Sequence, residues 1–176
     1  MISVDLRSLV SRFNPTCRQA LEQAVGYTLS RGQYNVEVEH LLLKLLDRQK
    51  SDVVALMRLF EIDEGKLSED LTRVVDRFKG GATRTPGLSP NLITLGREAW
   101  LIGSLRFGAR SVRSGHLLAA LFADDALAPM AREASRQFAS LTADQVAAGL
   151  ARIAGQTEEA ESAEAAPAGG AVPQGM

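Results

Sequence analysis

Three side chains in this sequence have the types that support nucleophilic or metal chemistry: the single cysteine, Cys17, and the two histidines, His40 and His116. Zinc needs three or four ligands, and Cys17 has no partner at ligand spacing. A Cys–His nucleophile needs a feature that lowers the thiol pKa, and no glycine-rich turn or local signature surrounds Cys17. We therefore predict no catalytic residue and no metal ligand, although a pair between Cys17 and one histidine stays open.

Phosphate chemistry has equally little support. A P-loop has the pattern Gly-x4-Gly-Lys-Ser/Thr, in which backbone amides hold the phosphates. Gly65-Lys66 is the only Gly-Lys pair, Leu67 follows it, and no glycine stands at the required upstream position. We predict that this domain holds no cofactor and is not an enzyme.

A basic strip between residues 73 and 113 carries eight arginines and lysines against Asp76 and Glu98. Such a strip could bind an anion or a nucleic acid. However, the whole chain has a net charge of -1, and no aromatic residues alternate with the basic ones to stack on bases. We favour a solvated face spread over a loop and two helices, and nucleic-acid binding remains the rival interpretation.

The elements that carry these residues are predicted to be helices. Stretches rich in Leu and Ala favour helix, and no segment alternates with the period of a strand. A capping residue followed by proline begins two helices, at Asn14-Pro15 and Ser89-Pro90. We predict an all-α fold with about eight or nine helices. They cover residues 4–12, 15–31, 38–49, 52–60, 68–78, 90–108, 115–123, 126–138 and 142–154.

The remaining segments bear on location. A single cysteine forms no internal disulfide, which fits a reducing compartment. The first residues do not form a signal peptide, and no apolar run is long enough to span a bilayer, so we expect a cytoplasmic protein with no membrane partner. Residues 155–176 contain mainly Ala, Gly, Glu and Pro, and their glutamates have no basic partner in sequence. We predict that this segment is a disordered linker or tail.

An internal duplication is the most informative feature. A shift of 76 places Glu22 on Glu98 and Gly32 on Gly108 without a gap, and it also aligns His40-Leu41-Leu42 with His116-Leu117-Leu118. We interpret both histidines as structural residues at helix starts. We predict two four-helix repeats related by a pseudo-two-fold axis. The predicted division is an extra amphipathic helix in 1–14, a repeat domain in 15–154 with halves at 15–79 and 90–154, and the tail.

At these positions the sequence resembles the N-terminal repeat domain of the Clp/Hsp100 chaperones. Two copies of a helix that ends in glycine and is followed by a His-Leu-Leu helix carry the resemblance, which covers residues 15–154. Within that family the chain is similar to the ClpV type, the unfoldase that recycles the contractile sheath of type VI secretion. The segments that carry this closer similarity are 14–22 (NPTCRQALE), 39–43 (EHLLL), 98–100 (EAW), 113–118 (RSGHLL) and the extra helix at 4–12.

The resemblance implies a binding module in a longer, bacterial protein whose further modules hydrolyse ATP with Mg²⁺. It implies a homohexameric parent, and we expect the isolated domain to be monomeric. It also implies the partner, which is a helical N-terminal segment of the larger sheath subunit, VipB or TssC. A general Clp peptide- or adaptor-binding domain is the alternative within the family.

The partner helix is predicted to bind in a groove between the helix at 4–12 and the start of the second repeat. A nine-residue helix is too short to be stable alone, so it must pack on the body. The shift of 76 places Leu88 beside Arg12, which makes the start of the second repeat more apolar than that of the first. The alternative is that these residues only close the core. The groove residues are Leu6, Leu9, Val10, Phe13, Leu88 and Leu92, with Arg12 and Asn91 at its rim.

Overall fold

The computed structural model describes residues 6–160, and the expected fold class is confirmed because helices dominate this range. Two strands of two residues each form one parallel pair, and one isolated parallel bridge joins Phe13 to Val112. The elements are α1 Leu6–Ser11, α2 Pro15–Ser30, β1 Asn35–Val36, α3 Val38–Leu46, α4 Asp52–Leu59, α5 Glu64–Asp76, β2 Gly87–Leu88, α6 Pro90–Leu101, a π-helical turn Ile102–Arg106, α7 Ser114–Ala123, α8 Leu127–Ala134, a 3₁₀ turn Arg136–Phe138 and α9 Ala143–Ile153.

A helix begins at both places where a capping residue is followed by proline, Asn14-Pro15 and Ser89-Pro90, as predicted. The Asn14 side chain accepts a hydrogen bond from the Cys17 backbone N–H at 2.8 Å, and Ser89 Oγ accepts one from the Leu92 N–H at 3.1 Å. Each cap satisfies an amide that has no partner within its helix. The two long helices therefore begin with the same local chemistry.

The two histidines occupy matching positions, as the duplication requires. His40 Nδ1 accepts from the Glu37 backbone N–H at 2.9 Å, and His116 Nδ1 accepts from the Arg113 N–H at 3.0 Å. Both rings are buried, and each stands at the third position of its helix, α3 or α7. Each histidine side chain therefore accepts a hydrogen bond from the backbone N–H of the residue that precedes its own helix.

The register of the duplication needs one correction. The cap residues Asn14 and Ser89 are 75 positions apart, whereas the left-handed glycines Gly32 and Gly108 are 76 apart. The 12-residue α6 continues into a five-residue π-helical turn, and together they are one residue longer than the 16-residue α2. A π turn inserts one residue into a helix, so it accounts for the change of register.

The corrected register changes the comparison of the residues that precede the two long helices. Leu88 corresponds to Phe13 rather than to Arg12, so α2 and α6 both follow an apolar residue and its cap. The buried positions of the helices then coincide. These pairs are Cys17 with Leu92, Ala20 with Leu95, Leu21 with Gly96, and Ala24 with Ala99.

The short strands connect the halves in a crossed manner. β2, which precedes α6 of the second half, pairs with β1 of the first half, and the Ser89 N–H donates to the Val36 carbonyl at 3.0 Å. At the position related by the pseudo-two-fold axis, Phe13 pairs with Val112, and the Asn14 N–H donates to the Val112 carbonyl at 3.0 Å. Each half therefore lends the short extended segment before its first long helix to the other half.

The expectation of a disordered tail is corrected for residues 155–160. Glu158 accepts hydrogen bonds from Thr16 Oγ1 at 2.7 Å and from Arg48 Nε at 3.3 Å, and Glu159 is fully buried. The glutamates lacked a basic partner only in the neighbouring sequence, whereas their partners come from distant helices. Residues 161–176 lie outside the described range, as do residues 1–5, which include the first two positions of the helix predicted at 4–12.

Candidate docking site at the N-terminal helix

α1 rests on α6 at a glycine. A Cβ atom on Gly96 would lie 3.1 Å from Leu9 Cδ2 and 3.4 Å from Phe13 Cζ. Leu9 and Phe13 are only 7% and 6% exposed, so their side chains fill the space that a larger residue at position 96 would need. The six-residue helix is thus fixed by packing rather than by its own stability.

Three residues predicted to line an open groove belong to the hydrophobic core instead. Leu9, Phe13 and Leu92 are all nearly inaccessible and lie in one cluster of buried side chains. A polar residue at any of these three places would disrupt the core and lower the melting temperature. For these three, closure of the core is the correct interpretation.

The other predicted groove residues keep accessible apolar surface. Leu6 is 39% exposed, and Val10, one helical turn later, is half-buried. Leu88 is also half-buried, in β2 just before the N-terminus of α6. The structure therefore brings α1 onto α6 and leaves an apolar edge on α1 beside it.

The predicted rim residues are exposed and have identifiable neighbours. The Arg12 guanidinium carbon lies 5.0 Å from the ring centroid of Trp100, a cation–π contact that covers part of the indole. Asn91 Nδ2 lies 3.6 Å from the sulfur of Met130. Trp100 and Met130, which are not among the predicted site residues, are both half-buried beside the predicted rim. Their proximity arises from tertiary packing and has no signal in sequence spacing.

The surroundings of Cys17 do not activate its thiol as a nucleophile. Cys17 is fully buried, and burial together with the neighbouring Glu159 raises the pKa of its thiol. The carboxylate oxygen of Glu159 lies 3.9 Å from Cys17 Sγ, so the thiol faces an acid rather than a histidine. Burial also lowers the pKa of His40 and His116 to about 4, which keeps both rings neutral. Among residues 6–160, no group of three ligand-type side chains is placed to hold a metal ion.

The basic strip is divided by the fold. Arg113 is buried and makes a two-pronged ion pair with Asp52, at 2.8 Å and 2.7 Å. Arg73 pairs with Asp70 at 3.1 Å, on α5, and Arg106 lies 3.8 Å from Asp144. These side chains therefore do not form one continuous anion-binding face. Within the described range, no helix is long and apolar enough to cross a membrane.

The sequence is similar to a known domain family and to a curated relative. The profile of the Clp repeat (R) N-terminal domain matches residues 12–166. The chain is 30% identical over 141 residues to the AAA+ ATPase ClpV1 of Pseudomonas aeruginosa, an alignment that covers 80% of this chain and 16% of the relative. This chain therefore spans about one sixth of the length of that curated relative.

Two solved structures share the fold. One comes from work on the coevolution of the ATPase ClpV, the TssB-TssC sheath and the accessory HsiE protein in type VI secretion. It has a TM-score of 0.84 and 28% identity, and the match covers 90% of this chain and 98% of that one. The other is a complex of a ClpV N-domain with a VipB peptide, with a TM-score of 0.69, 22% identity and coverage of 89% and 92%.

Proposed function

The chain belongs to the Clp repeat (R) N-terminal domain family, and we propose that it is the sheath-recognition domain of a ClpV-type AAA+ ATPase. Its partner is a helical N-terminal segment of the larger sheath subunit, VipB or TssC. The domain holds this segment so that the ATPase can disassemble contracted sheath in the bacterial cytoplasm. Hydrolysis of ATP belongs to other modules of such a protein, since the relative ClpV1 is named an AAA+ ATPase and this chain aligns with only 16% of it.

One observation carries the proposal, namely the apolar edge that α1 leaves exposed. Leu6 is 39% exposed although it begins a helix whose next buried residue, Leu9, is docked on α6. Leu6 and Val10 are four positions apart, so they lie on the same face of α1. A partner helix with leucine-sized anchors at i, i+3 or i+4, and i+7 would cover this edge and extend the packing of α1 on α6.

The buried residues have a different role in this proposal. Leu9, Phe13 and Leu92 support the floor of the groove, while Leu6, Val10 and Leu88 offer the accessible apolar surface. Arg12 and Asn91 remain at the rim, where their exposed polar groups can meet polar atoms of the partner. The anchoring energy therefore comes from side chains that keep accessible apolar surface in the free domain, although Val10 and Leu88 also pack partly against its core.

A titration with a synthetic peptide of the sheath-subunit segment tests the proposal. Trp100 is the only tryptophan, and because it is half-buried beside Arg12, its emission should change when a peptide binds at α1. Leu6→Gln and Val10→Gln should each weaken binding about five- to tenfold, as expected for loss of roughly 1 kcal/mol of apolar contact. The melting temperature of Leu6→Gln should stay close to that of the parent chain.

Leu29→Gln is the matched control, because Leu29 is an exposed leucine (55%) on α2 and outside the proposed groove. Equal effects of Leu6→Gln and Leu29→Gln would refute the placement of the groove. No saturable binding of the peptide by the parent chain would refute the function itself. A strong loss of affinity with added salt would instead favour the anion-binding interpretation.

The general peptide-binding alternative predicts a different pattern. A domain without a dedicated partner should bind unrelated amphipathic peptides as well as it binds the sheath segment. A scrambled peptide of the same composition distinguishes the two cases, and it should bind at least tenfold more weakly if the sheath segment is the true partner.

A further inference from the structure

The carboxylate of Glu159 lies where three helices begin. It accepts hydrogen bonds from the backbone N–H of Asp52 at 2.7 Å and from that of Ser114 at 2.6 Å, which are the first residues of α4 and α7. It also accepts one from Asn14 Nδ2, the capping residue of α2, at 3.0 Å. A negative charge is favourable at helix N-termini, and one carboxylate here serves three of them.

The two residues before Glu159 are held at the same place. Thr157 Oγ1 donates to Asp52 Oδ1 at 2.7 Å. The Glu158 backbone N–H donates to the Lys50 carbonyl at 2.9 Å, and its carboxylate accepts from Thr16 Oγ1 at 2.7 Å. Residues 157–159, called the strap below, are therefore joined to α2, α4 and α7 by side-chain and backbone bonds, although they follow the last helix of the repeats.

The site of the strap is present in only one half. Glu159 lies against Cys17 and accepts a hydrogen bond from Ser114 Oγ at the start of α7. The corresponding residues in the other half do not fit a carboxylate in the same way, because Leu92 matches Cys17 and Val38, which has no hydroxyl, matches Ser114. Both Leu92 and Val38 are buried. The departure from pseudo-symmetry therefore coincides with the place that the strap occupies.

Asn14 connects the strap to the segment beside the docking site. Asn14 bonds to Glu159 through its side chain and to the Val112 carbonyl through its backbone N–H at 3.0 Å. It also directly follows Phe13, whose ring packs on α6 with α1. A change at the strap therefore reaches the junction between α1 and α2 through Asn14, and it reaches the first turn of α2 through Thr16 and Cys17.

We infer that the strap is a latch whose docking is linked to partner binding at α1. The docked strap holds Asn14 and so fixes the junction on which α1 depends, whereas release of the strap frees that junction. A partner that requires a fixed α1 favours the docked strap, and by linkage the docked strap raises affinity for the partner by the same factor. The linkage to a partner rests on the proposed function, whereas the latch itself does not.

Cys17 provides a direct readout. It is the only cysteine, it is fully buried, and Glu159 covers its sulfur. Release of the strap should expose the thiol to a reagent such as Ellman's reagent, while the docked state should not react. Global unfolding also exposes Cys17, but its rate increases with urea, whereas a local opening is nearly independent of low urea.

The first experiment uses the unmodified chain, with and without the sheath peptide. Saturating peptide should slow urea-independent labelling of Cys17 at least fivefold. The second compares Glu159→Gln with Glu133→Gln, which changes an exposed glutamate on α8. Gln at position 159 removes the charge and turns an amide NH₂ toward backbone donors, so labelling should accelerate about tenfold or more while the control stays unchanged. Peptide affinity should fall in Glu159→Gln alone.

The possible results separate the ideas. Cys17 that labels only through urea-dependent unfolding in the unmodified chain would overturn the latch, and so would a folded Glu159→Gln that labels at the parental rate. Faster labelling with unchanged peptide affinity would overturn the linkage. If the parent chain binds no peptide, the proposed function fails, but the labelling of Glu159→Gln still decides whether the strap is a latch. If Glu159→Gln does not fold, the unmodified chain with and without peptide decides the linkage.

Discussion

Replacing Asp52 with asparagine should remove one half of a buried ion pair. Asp52 is fully buried and Arg113 is 7% exposed, and the guanidinium donates to both carboxylate oxygens. The carboxylate also accepts from the Gly115 N–H at 3.2 Å and from Thr157 Oγ1 at 2.7 Å. Loss of the Asp52 charge removes both direct carboxylate bonds of the buried guanidinium and leaves Glu159 as the nearby negative charge, so the cost is about 3–5 kcal/mol.

A loss of this size is a large fraction of the stability of an ordinary domain, which is about 5–15 kcal/mol. For a domain of this size, it should lower the melting temperature by roughly 6–20 °C. Urea denaturation followed by circular dichroism, with the slope compared between variants, measures the change directly. Asp76→Asn is the matched control, since Asp76 pairs with Arg31 at the surface, where such pairs contribute about 0–1 kcal/mol.

A second substitution tests the cause. If Arg113 is changed to methionine in the Asp52→Asn background, much of the lost stability should return, because the buried guanidinium that lost its direct ion pair is gone. A loss below about 1 kcal/mol for Asp52→Asn alone would refute the reasoning. An equal loss in Asp76→Asn would refute it too, because burial would then not decide the effect.

Two further predictions concern local packing and pH. Gly103→Ala should lower the free energy of unfolding by about 1–3 kcal/mol, because the added Cβ would lie 2.6 Å from His116 Nδ1. Gly26→Ala on α2 should raise the free energy of unfolding by about 0.5–1 kcal/mol, because the added Cβ would meet no tertiary neighbour within 4 Å. Thermal denaturation of both variants checks this. His40 and His116 have a folded pKa of about 4, below the ordinary 6.5, so the unfolded chain binds protons first and stability should fall as pH drops from about 6.5 to 4. The loss should approach about 3 kcal/mol per histidine, and urea denaturation that is unchanged between pH 7 and pH 4.5 would contradict it.

Local chemistry was predictable from the sequence because it depends on adjacent residues. The caps at Asn14 and Ser89 and the histidines at helix starts follow from side chains that bond to their own backbone neighbours. The family followed from the same positions. These features need no knowledge of how distant segments pack.

What the sequence could not provide depends on distant contacts or on single insertions. Only the structure distinguishes α6 with its π turn from a helix of ordinary length, so the register of the duplication was misplaced by one residue. Glu159 belongs to a stretch of Ala, Gly and Glu whose composition is typical of linkers, and its three partners come from remote helices. The burial of Leu9 depends on the absence of a side chain at Gly96. No periodicity in α1 could indicate that absence.

The crossed pairing of the short extended segments bears on how the duplicated chain could have arisen from a single repeat. β2 of the second half completes β1 of the first, and Phe13 of the first half completes Val112 of the second. A half expressed alone would lack its exchanged strand, and a second copy of the same half would supply the matching one. The arrangement is thus that of a strand-exchanged homodimer whose two subunits have been fused into one chain. Such a fusion makes the exchange intramolecular, so it no longer depends on protein concentration.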